Sequence, residues 1–479
     1  MLFSSLVFLW YFLPAVFLLY FITKNLHIRN GVLLAASLFF YAWGEPKYVI
    51  LMLVSIGLNY FFGLWIGRMQ SKHRMRLAVT TCVFLNLLLL GYFKYFNFAV
   101  EIANSLLRRF AGGAHTLSFR EIALPVGISF YTFQALSYVV DVYRGTIQAQ
   151  KNIFHLALYI SFFPQLIAGP IVKYHDVCEQ IGNRQCTAEG MAYGIKRFSY
   201  GLAKKMLFAN TFAATVDWMM EKPLAQLGTV NAWMLAVLYT LQIYFDFSGY
   251  SDMAIGIALL LGFRFNINFD SPYQSATITE FWRRWHISLS SWLKDYLYIS
   301  LGGNRKGKIR TYMNLMITML LGGLWHGASI SFILWGALHG IALAAHKFIM
   351  GHFSSFKALG CEMKPWRRVL GVLITFHVVC FGWILFRATS MKAVGEMLSQ
   401  IFTNFHPEVF MQFVSGYKGV FALMVIGYVL HFMPKRSEDV LREIVTRSPL
   451  LIQAAILAIA IFIVVQFKSA GVQPFIYFQ

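Results

Sequence analysis

Apolar stretches long enough to cross a bilayer recur from one end of this chain to the other. Such a segment has few folded destinations. In lipid every backbone N–H and C=O must be bonded internally, and a helix does this within one segment. Only 13% of the 479 residues are charged and 58% are hydrophobic, with a mean hydropathy of +0.59. Soluble domains carry roughly 25% charged residues, so the chain reads as an all-α polytopic membrane protein. No Ser-, Gly- or Pro-rich linker divides it and no soluble domain interrupts it, which makes residues 1–479 a single membrane-embedded domain. Leu2–Ile22 opens without a basic residue, contains Pro14 and lacks a small-residue cleavage site. That is the pattern of a retained span rather than a secretory signal.

The net charge of +21 invites a nucleic-acid reading, but the Lys and Arg residues are scattered over short loops. That distribution fits attraction to the cytoplasmic face and to anionic lipid, and it excludes nucleic acid as a partner. The five cysteines include no CxxC pair and leave the redox compartment unread.

Loop charge gives a topology. Residues 2–22, 31–43 and 48–67 lead into the basic loop Arg68–Arg76, the best cytoplasmic marker. Residues 77–98 then cross outward and 122–142 cross back, which places the N-terminus outside the cytoplasm. Pro164 and Pro170 inside 154–172 call for a broken or re-entrant segment shielded from lipid. Residues 195–219 and 231–262 are long and apolar, whereas Asn266–Lys308 is too polar to face lipid and lines an interior funnel or lies at an interface. Further spans fall at 311–327, 329–349, 369–387, 417–433 and 449–467. A basic loop at Lys435, Arg436, Arg442 and Arg447 puts the C-terminus outside as well. The count is about eleven to thirteen crossings. The chain shows no internal repeat, which counts against inverted-repeat transporters.

Two histidines stand in apolar surroundings, where an ionisable side chain is costly and its default reading is functional. His326 sits in Gly-Gly-Leu-Trp-His-Gly-Ala-Ser, among small residues that let helices approach or leave room for a substrate. It serves as a general base, or as a structural histidine bonded to a carbonyl at a tight crossing. Trp325 and Ser329 support the same motif. His286 follows Arg283 and Arg284 in Phe-Trp-Arg-Arg-Trp-His-Ile-Ser, with Trp282, Trp285 and Trp292 as an aromatic wall. The Trp and Arg residues also suit an interfacial amphipathic helix. His339 and His346 lie thirteen and twenty residues after His326. On an unbroken helix they would point to faces different from that of His326, as packing or interface residues. No i, i+4 partner and no HExxH pattern accompanies His326, so no metal is assigned. Asp246, Asp252 and Asp295 are available to pair with Arg283 and Arg284.

Several segments carry a resemblance. Pro125-Val-Gly-Ile-Ser-Phe-Tyr-Thr-Phe-Gln134 through Asp141-Val-Tyr-Arg-Gly145 is similar to the membrane-bound O-acyltransferases. So are Phe162-Phe-Pro-Gln-Leu-Ile-Ala-Gly-Pro170, Tyr244-Phe-Asp-Phe-Ser-Gly-Tyr-Ser-Asp252 and the two Trp-His motifs. The match runs nearly the full length and is nearest to the bacterial branch that O-acetylates exported polysaccharides. The resemblance implies helices around a central funnel, and a tunnel that brings a cytoplasmic thioester to the extracytoplasmic side. It implies His326 as the catalytic histidine and His286 as a second active-site position. The donor would be acetyl-CoA or another acyl thioester, with no bound cofactor. A thioester is already activated, so the residues need supply only a base, donors for the oxyanion and exclusion of water.

The C-terminal Gln473-Pro-Phe-Ile-Tyr-Phe-Gln479 places the Tyr477 hydroxyl among aromatics. By composition this is an interfacial aromatic belt. The same branch commonly ends in a Phe-Ile-Tyr-Phe-Gln-Phe type tail, lacking here only its last Phe, and that likeness implies an acyl relay on Tyr477. With no serine-esterase block in the chain, the acetyl group would pass to a separate extracytoplasmic serine-esterase-fold partner. The expectation is a bacterial inner-membrane O-acetyltransferase acting on an exported cell-envelope polysaccharide, surrounded by membrane lipid. Transfer to a lipid or protein hydroxyl, and membrane transport, are the competing classes.

Overall fold

The computed structural model describes residues 1–110, 117–352 and 364–434, with isolated positions between 437 and 455. The Lys435–Arg447 loop, the 449–467 span and Tyr477 lie outside the described residues. The chain opens with a π-helical turn, Phe8–Phe12, that continues into α1 (Leu13–Phe21). Next come α2 (Leu26–Gly44), capped by the Asn25 side chain, α3 (Val49–Arg68) and α4 (Lys72–Phe110). At 39 residues α4 is about 58 Å long, well beyond the roughly 30 Å hydrocarbon layer.

Two helices form the centre. Of the 17 residues of α5 (Ile128–Arg144), 14 are buried. Every residue of α11 (Gly228–Leu260) from Leu238 to Ala258 is buried. A helix buried on all sides is a core helix. The α5 helix starts six residues later than the expected 122–142 crossing, because the left-handed Gly127 sets its first turn. Between these helices lie α6 (Ile153–Ser161), the single turn α7 (Phe163–Leu166) and α8 (Tyr174–Gly182). The break around Pro164 and Pro170 is therefore real, and residues 156–174 are buried throughout. Non-helical backbone at membrane depth is tolerated only when so enclosed.

The expected 195–219 span is α9 (Ala188–Ala203), a π-helical turn (Lys204–Ala209) and α10 (Asn210–Met220) in succession. α9 packs on α11 through glycines. A β-carbon on Gly201 would lie 2.5 Å from the Gly249 carbonyl oxygen, and one on Gly256 2.7 Å from that of Gly194. This seam corrects the expected ion pairs. Asp246 meets Lys205 at 2.6 Å, and Asp252 meets Arg197 at 2.9 Å and Lys204 at 2.8 Å. Asp295 meets Lys173 at 2.5 Å. None of the three reaches Arg283 or Arg284. Arg284 is bound by Glu280 one turn earlier, at 2.9 Å, and Arg283 is exposed. The Lys204–Ala209 turn delivers both lysines to α11, and arginines forty residues on cannot compete for those carboxylates.

The polar stretch after α11 forms short elements: α12 (Ile278–Arg284), α13 (Ile287–Trp292) and a π-helical turn (Leu293–Tyr298). Then follow α14 (Lys308–His326), α15 (Ile330–His352), α16 (Pro365–Arg387) and α17 (Met391–Thr403). α18 (Val409–Gly416) and α19 (Lys418–Phe432) complete the described order. α17 was not anticipated; it buries Ala393, Val394, Met397, Gln400 and Ile401 on one stripe.

By length and composition, four described helices can cross a membrane: α3, α4, α15 and α16. α18 and α19, bent by 96° at their junction, make a fifth if taken as one span. Of the other expected crossings, 154–172 is broken, and 122–142 and 231–262 are enclosed. Large apolar side chains such as Trp10, Leu18, Phe61, Phe84 and Leu88 point outward, as on a lipid-facing surface.

Candidate active site

His326 is the last residue of α14, half-buried, where the helix runs out of partners for its final carbonyls. α4 supplies them from across the fold. The Tyr95 hydroxyl donates to the Leu324 carbonyl at 2.7 Å, and the Lys94 ammonium donates to the Trp325 carbonyl. Lys94 also donates to Ser129 Oγ at 2.9 Å and stands 5.6 Å from the Trp325 ring. A cation at a helix C-terminus is favourable, the more so when partly buried. Lys94 and Tyr95 thus hold the two residues immediately before His326. The sequence reading passed over both, although a lone lysine inside an apolar stretch is itself a signal of function.

The chain then turns at Gly327. Ser329 opens α15, its hydroxyl accepting from the Phe332 N–H at 3.4 Å and sharing a 2.8 Å bond with Ser331. α15 doubles back on α14 so closely that Gly323 meets the Phe332 carbonyl and Gly336 the Met319 carbonyl. Aromatic rings enclose the His326 imidazole, with centroids at 5.0 Å for Trp325, 5.1 Å for Trp335 and 5.1 Å for Phe386.

His286 occupies the break between α12 and α13 and is 3% exposed. Its φ of 44° is one of two positive values among the described non-glycine residues, the other being Ser271. A left-handed histidine is uncommon and persists only when its surroundings determine it. Asn268 provides them. Its backbone carbonyl accepts from the Ile287 N–H at 2.9 Å, and its side-chain oxygen accepts from the Ser288 N–H at 3.0 Å. That oxygen faces His286 Nδ1 at 3.3 Å. The Ser288 N–H can only donate, so the amide oxygen is correctly assigned. An acceptor facing Nδ1 favours the proton there and leaves Nε2 its lone pair.

The two imidazoles meet at one ring: His286 lies 6.3 Å from Trp325, and His326 5.0 Å. Trp325 is in turn packed by Phe130 and Phe133, and Phe133 stacks on Trp292 at 3.8 Å. Trp285 lies below, 3% exposed, against Phe269 and Trp383. Asp246 and Asp252 sit in the α9–α11 seam. His346 bonds Thr279 at 2.8 Å. His339 does not turn away as an unbroken helix would require. Because the helix breaks after His326 and folds back, His339 packs on Trp335 at 4.7 Å, the ring that also covers His326.

Two nitrogen bases share a tryptophan in an aromatic, water-poor core, and one of them is left with an exposed edge. Such a site suits proton transfer at an activated acyl group. The family model for membrane-bound O-acyltransferases matches residues 148–391, which include both histidines. The chain belongs to this family. It is an acyltransferase and a multi-pass membrane protein. It is 44% identical over 408 residues to a probable alginate O-acetylase of Pseudomonas syringae pv. tomato, covering 84% of this chain and 75% of that one. A peptidoglycan O-acetyltransferase of Helicobacter pylori is 38% identical over 429 residues, 83% of this chain and 79% of its own. A teichoic acid D-alanyltransferase of Bacillus subtilis is 26% identical over 357 residues, 68% of this chain and 89% of its own.

Proposed function

We propose that this acyltransferase takes acetyl from a cytoplasmic thioester, acetyl-CoA, and passes it across the bacterial inner membrane to O-acetylate an exported cell-envelope polysaccharide. The observation that carries the reading is the pair of imidazoles, His286 and His326, against the single ring of Trp325. The printed activities of the relatives, alginate and peptidoglycan O-acetylation, support the acceptor class.

In this reading His326 takes the proton of the acceptor hydroxyl as its oxygen attacks the acetyl carbonyl. The C–S bond breaks, and the imidazolium returns the proton to the departing thiolate of CoA. His286, with Nδ1 turned to the Asn268 side-chain oxygen, orients the acyl group. The first acceptor is the phenol of Tyr477, and an extracytoplasmic serine-esterase-fold partner then carries acetyl to the polymer. Both termini stand outside the cytoplasm. A phenol with pKa near 10 leaves more readily than an aliphatic alcohol, so transfer onward to a serine runs downhill.

Purified protein in nanodiscs, given acetyl-CoA and the partner, tests the reading. His326→Ala is expected to lose about 10²–10⁴ in rate, the usual cost of removing a general base. A well-folded His326→Ala variant that consumes acetyl-CoA at the wild-type rate would overturn it.

A further inference from the structure

At the corner where α1 passes into α2, positive charge gathers with no carboxylate to neutralise it. Arg184, just after α8, is 9% exposed. Its guanidinium is held by neutral oxygens only: the Tyr20 hydroxyl at 3.0 Å, the Asn30 side chain at 2.7 Å, and the carbonyls of Leu261, Ile181 and Gln180. Its Nη2 has no hydrogen-bond partner. A buried charge is ordinarily paired with one of opposite sign, since leaving water is costly and neutral oxygens recover only part of the loss. The neighbours here are cations instead. Arg29 lies 4.9 Å from the Tyr20 ring, which Arg184 approaches to 5.6 Å. The rings of His27 and His155 stack at 6.5 Å, and Arg184 is near enough to repel both Arg29 and His155. Among the described residues, no carboxylate forms an ion pair with any of the four.

The patch is open at its surface. His27 is exposed, and Arg29 and His155 are half-buried, so an anion needs no internal cavity to reach them. Around it the rim is apolar: Ile28 is exposed, Ile22 to 77% and Phe154 to 67%. The corner also belongs to a defined end of the fold. Gly67, near the end of α3, abuts Ala149, and 149–155 leads from there to His155, so the patch shares its end with the basic loop Arg68–Arg76. Such loops lie on the face where anionic headgroups concentrate. We propose that this corner binds the headgroup phosphate of an anionic phospholipid. Arg29, His27 and His155 meet the phosphate, an imidazole N–H being a donor in either protonation state. Arg184 stands behind them and supplies the uncompensated charge, while Ile22, Ile28 and Phe154 lie against the acyl chains. The charge calls for an anion, and the exposed apolar rim calls for one carried on hydrocarbon. None of these residues belongs to the acyl-transfer site, and the inference does not rest on the reaction proposed there.

Native mass spectrometry of the delipidated full chain, titrated with phosphatidylglycerol, phosphatidylcholine or inorganic phosphate, tests the site. Phosphatidylglycerol should bind in preference to phosphatidylcholine, whose headgroup carries no net charge. One cation at an anionic lipid surface is worth about fivefold in affinity. Arg29→Met should therefore weaken phosphatidylglycerol binding about fivefold, and His27→Gln with His155→Gln should weaken it further. Arg29→Lys keeps the charge and should bind as wild type does, which separates loss of charge from loss of fold. Lys392→Met removes an exposed cation from α17 and should leave binding unchanged. Equal binding of the two lipids, or the same loss in Lys392→Met as in Arg29→Met, overturns the site. Displacement of phosphatidylglycerol by an equal concentration of inorganic phosphate overturns the lipid as its ligand.

Discussion

Lys94→Met puts the coupling between α4 and the reaction centre to a quantitative test. The substitution keeps the stem and removes the ammonium, so the Trp325 carbonyl loses its donor and Ser129 Oγ loses a 2.9 Å bond. Hydrogen bonds to a charged group are worth about 1.5–3 kcal/mol each, and a partly buried cation at a helix C-terminus adds up to about 2 kcal/mol. Of the two α4 donors to the last turn of α14, only the Tyr95 hydroxyl on the Leu324 carbonyl then remains, two residues before His326. A displacement on the order of 1 Å at a catalytic group costs about 10²-fold. Acetyl-CoA consumption in nanodiscs should therefore show kcat reduced about 10²-fold, with KM for acetyl-CoA changed by less than about threefold. Lys94→Arg, which retains the charge and its donors, should recover part of the loss. Tyr95→Phe removes a neutral bond worth about 1 kcal/mol and should slow turnover about tenfold or less. A Lys94→Met protein with lowered thermal stability and wild-type kcat per folded molecule would show that Lys94 only braces the fold. That result would refute its role in positioning His326.

Three further outcomes follow from particular contacts. His286→Asn keeps a residue that tolerates the left-handed backbone while deleting the imidazole. It should fold normally and lose most activity, and near-wild-type turnover would remove His286 from the site. Tyr477→Phe, which keeps the ring and removes only the hydroxyl, should abolish polymer acetylation, and full acetylation in that variant would return the tyrosine to an interfacial role. Lys205→Met removes the cation paired with buried Asp246, and removing one partner of a buried ion pair costs about 3–5 kcal/mol. Thermal unfolding in detergent should shift markedly lower, whereas Lys205→Met together with Asp246→Leu should restore most of the stability.

The class of fold was open to view in the chain because lipid imposes a blunt rule on composition and backbone. The break near Pro164 and the polarity of 266–308 were equally plain, since proline and clustered charge each exclude a lipid-facing helix. The pairing of Asp246 with Lys205 was not, because it depends on a glycine seam whose close approach is a property of two helices together. The surroundings of His339 were hidden for a definable reason: a helical wheel assumes continuity, and the chain reverses at Gly327. The motif-bearing residues His286 and His326 stood out through their apolar surroundings, but nothing in the order of the chain brought Lys94, 232 positions earlier, against the carbonyl beside His326. That contact exists only in three dimensions.

The π-helical turn at Lys204–Ala209 has a consequence for how this chain can change over generations. A π-turn accommodates one more residue than the α-helix around it. Deleting that residue would leave a regular and locally better helix, yet it would rotate everything beyond by about 100° relative to α9. Either the lysines would swing off their aspartates or α10 would swing off its neighbours, and both are anchored. Length at this point is therefore frozen even where residue identity is free. A one-residue gap here marks a protein that has rebuilt its core.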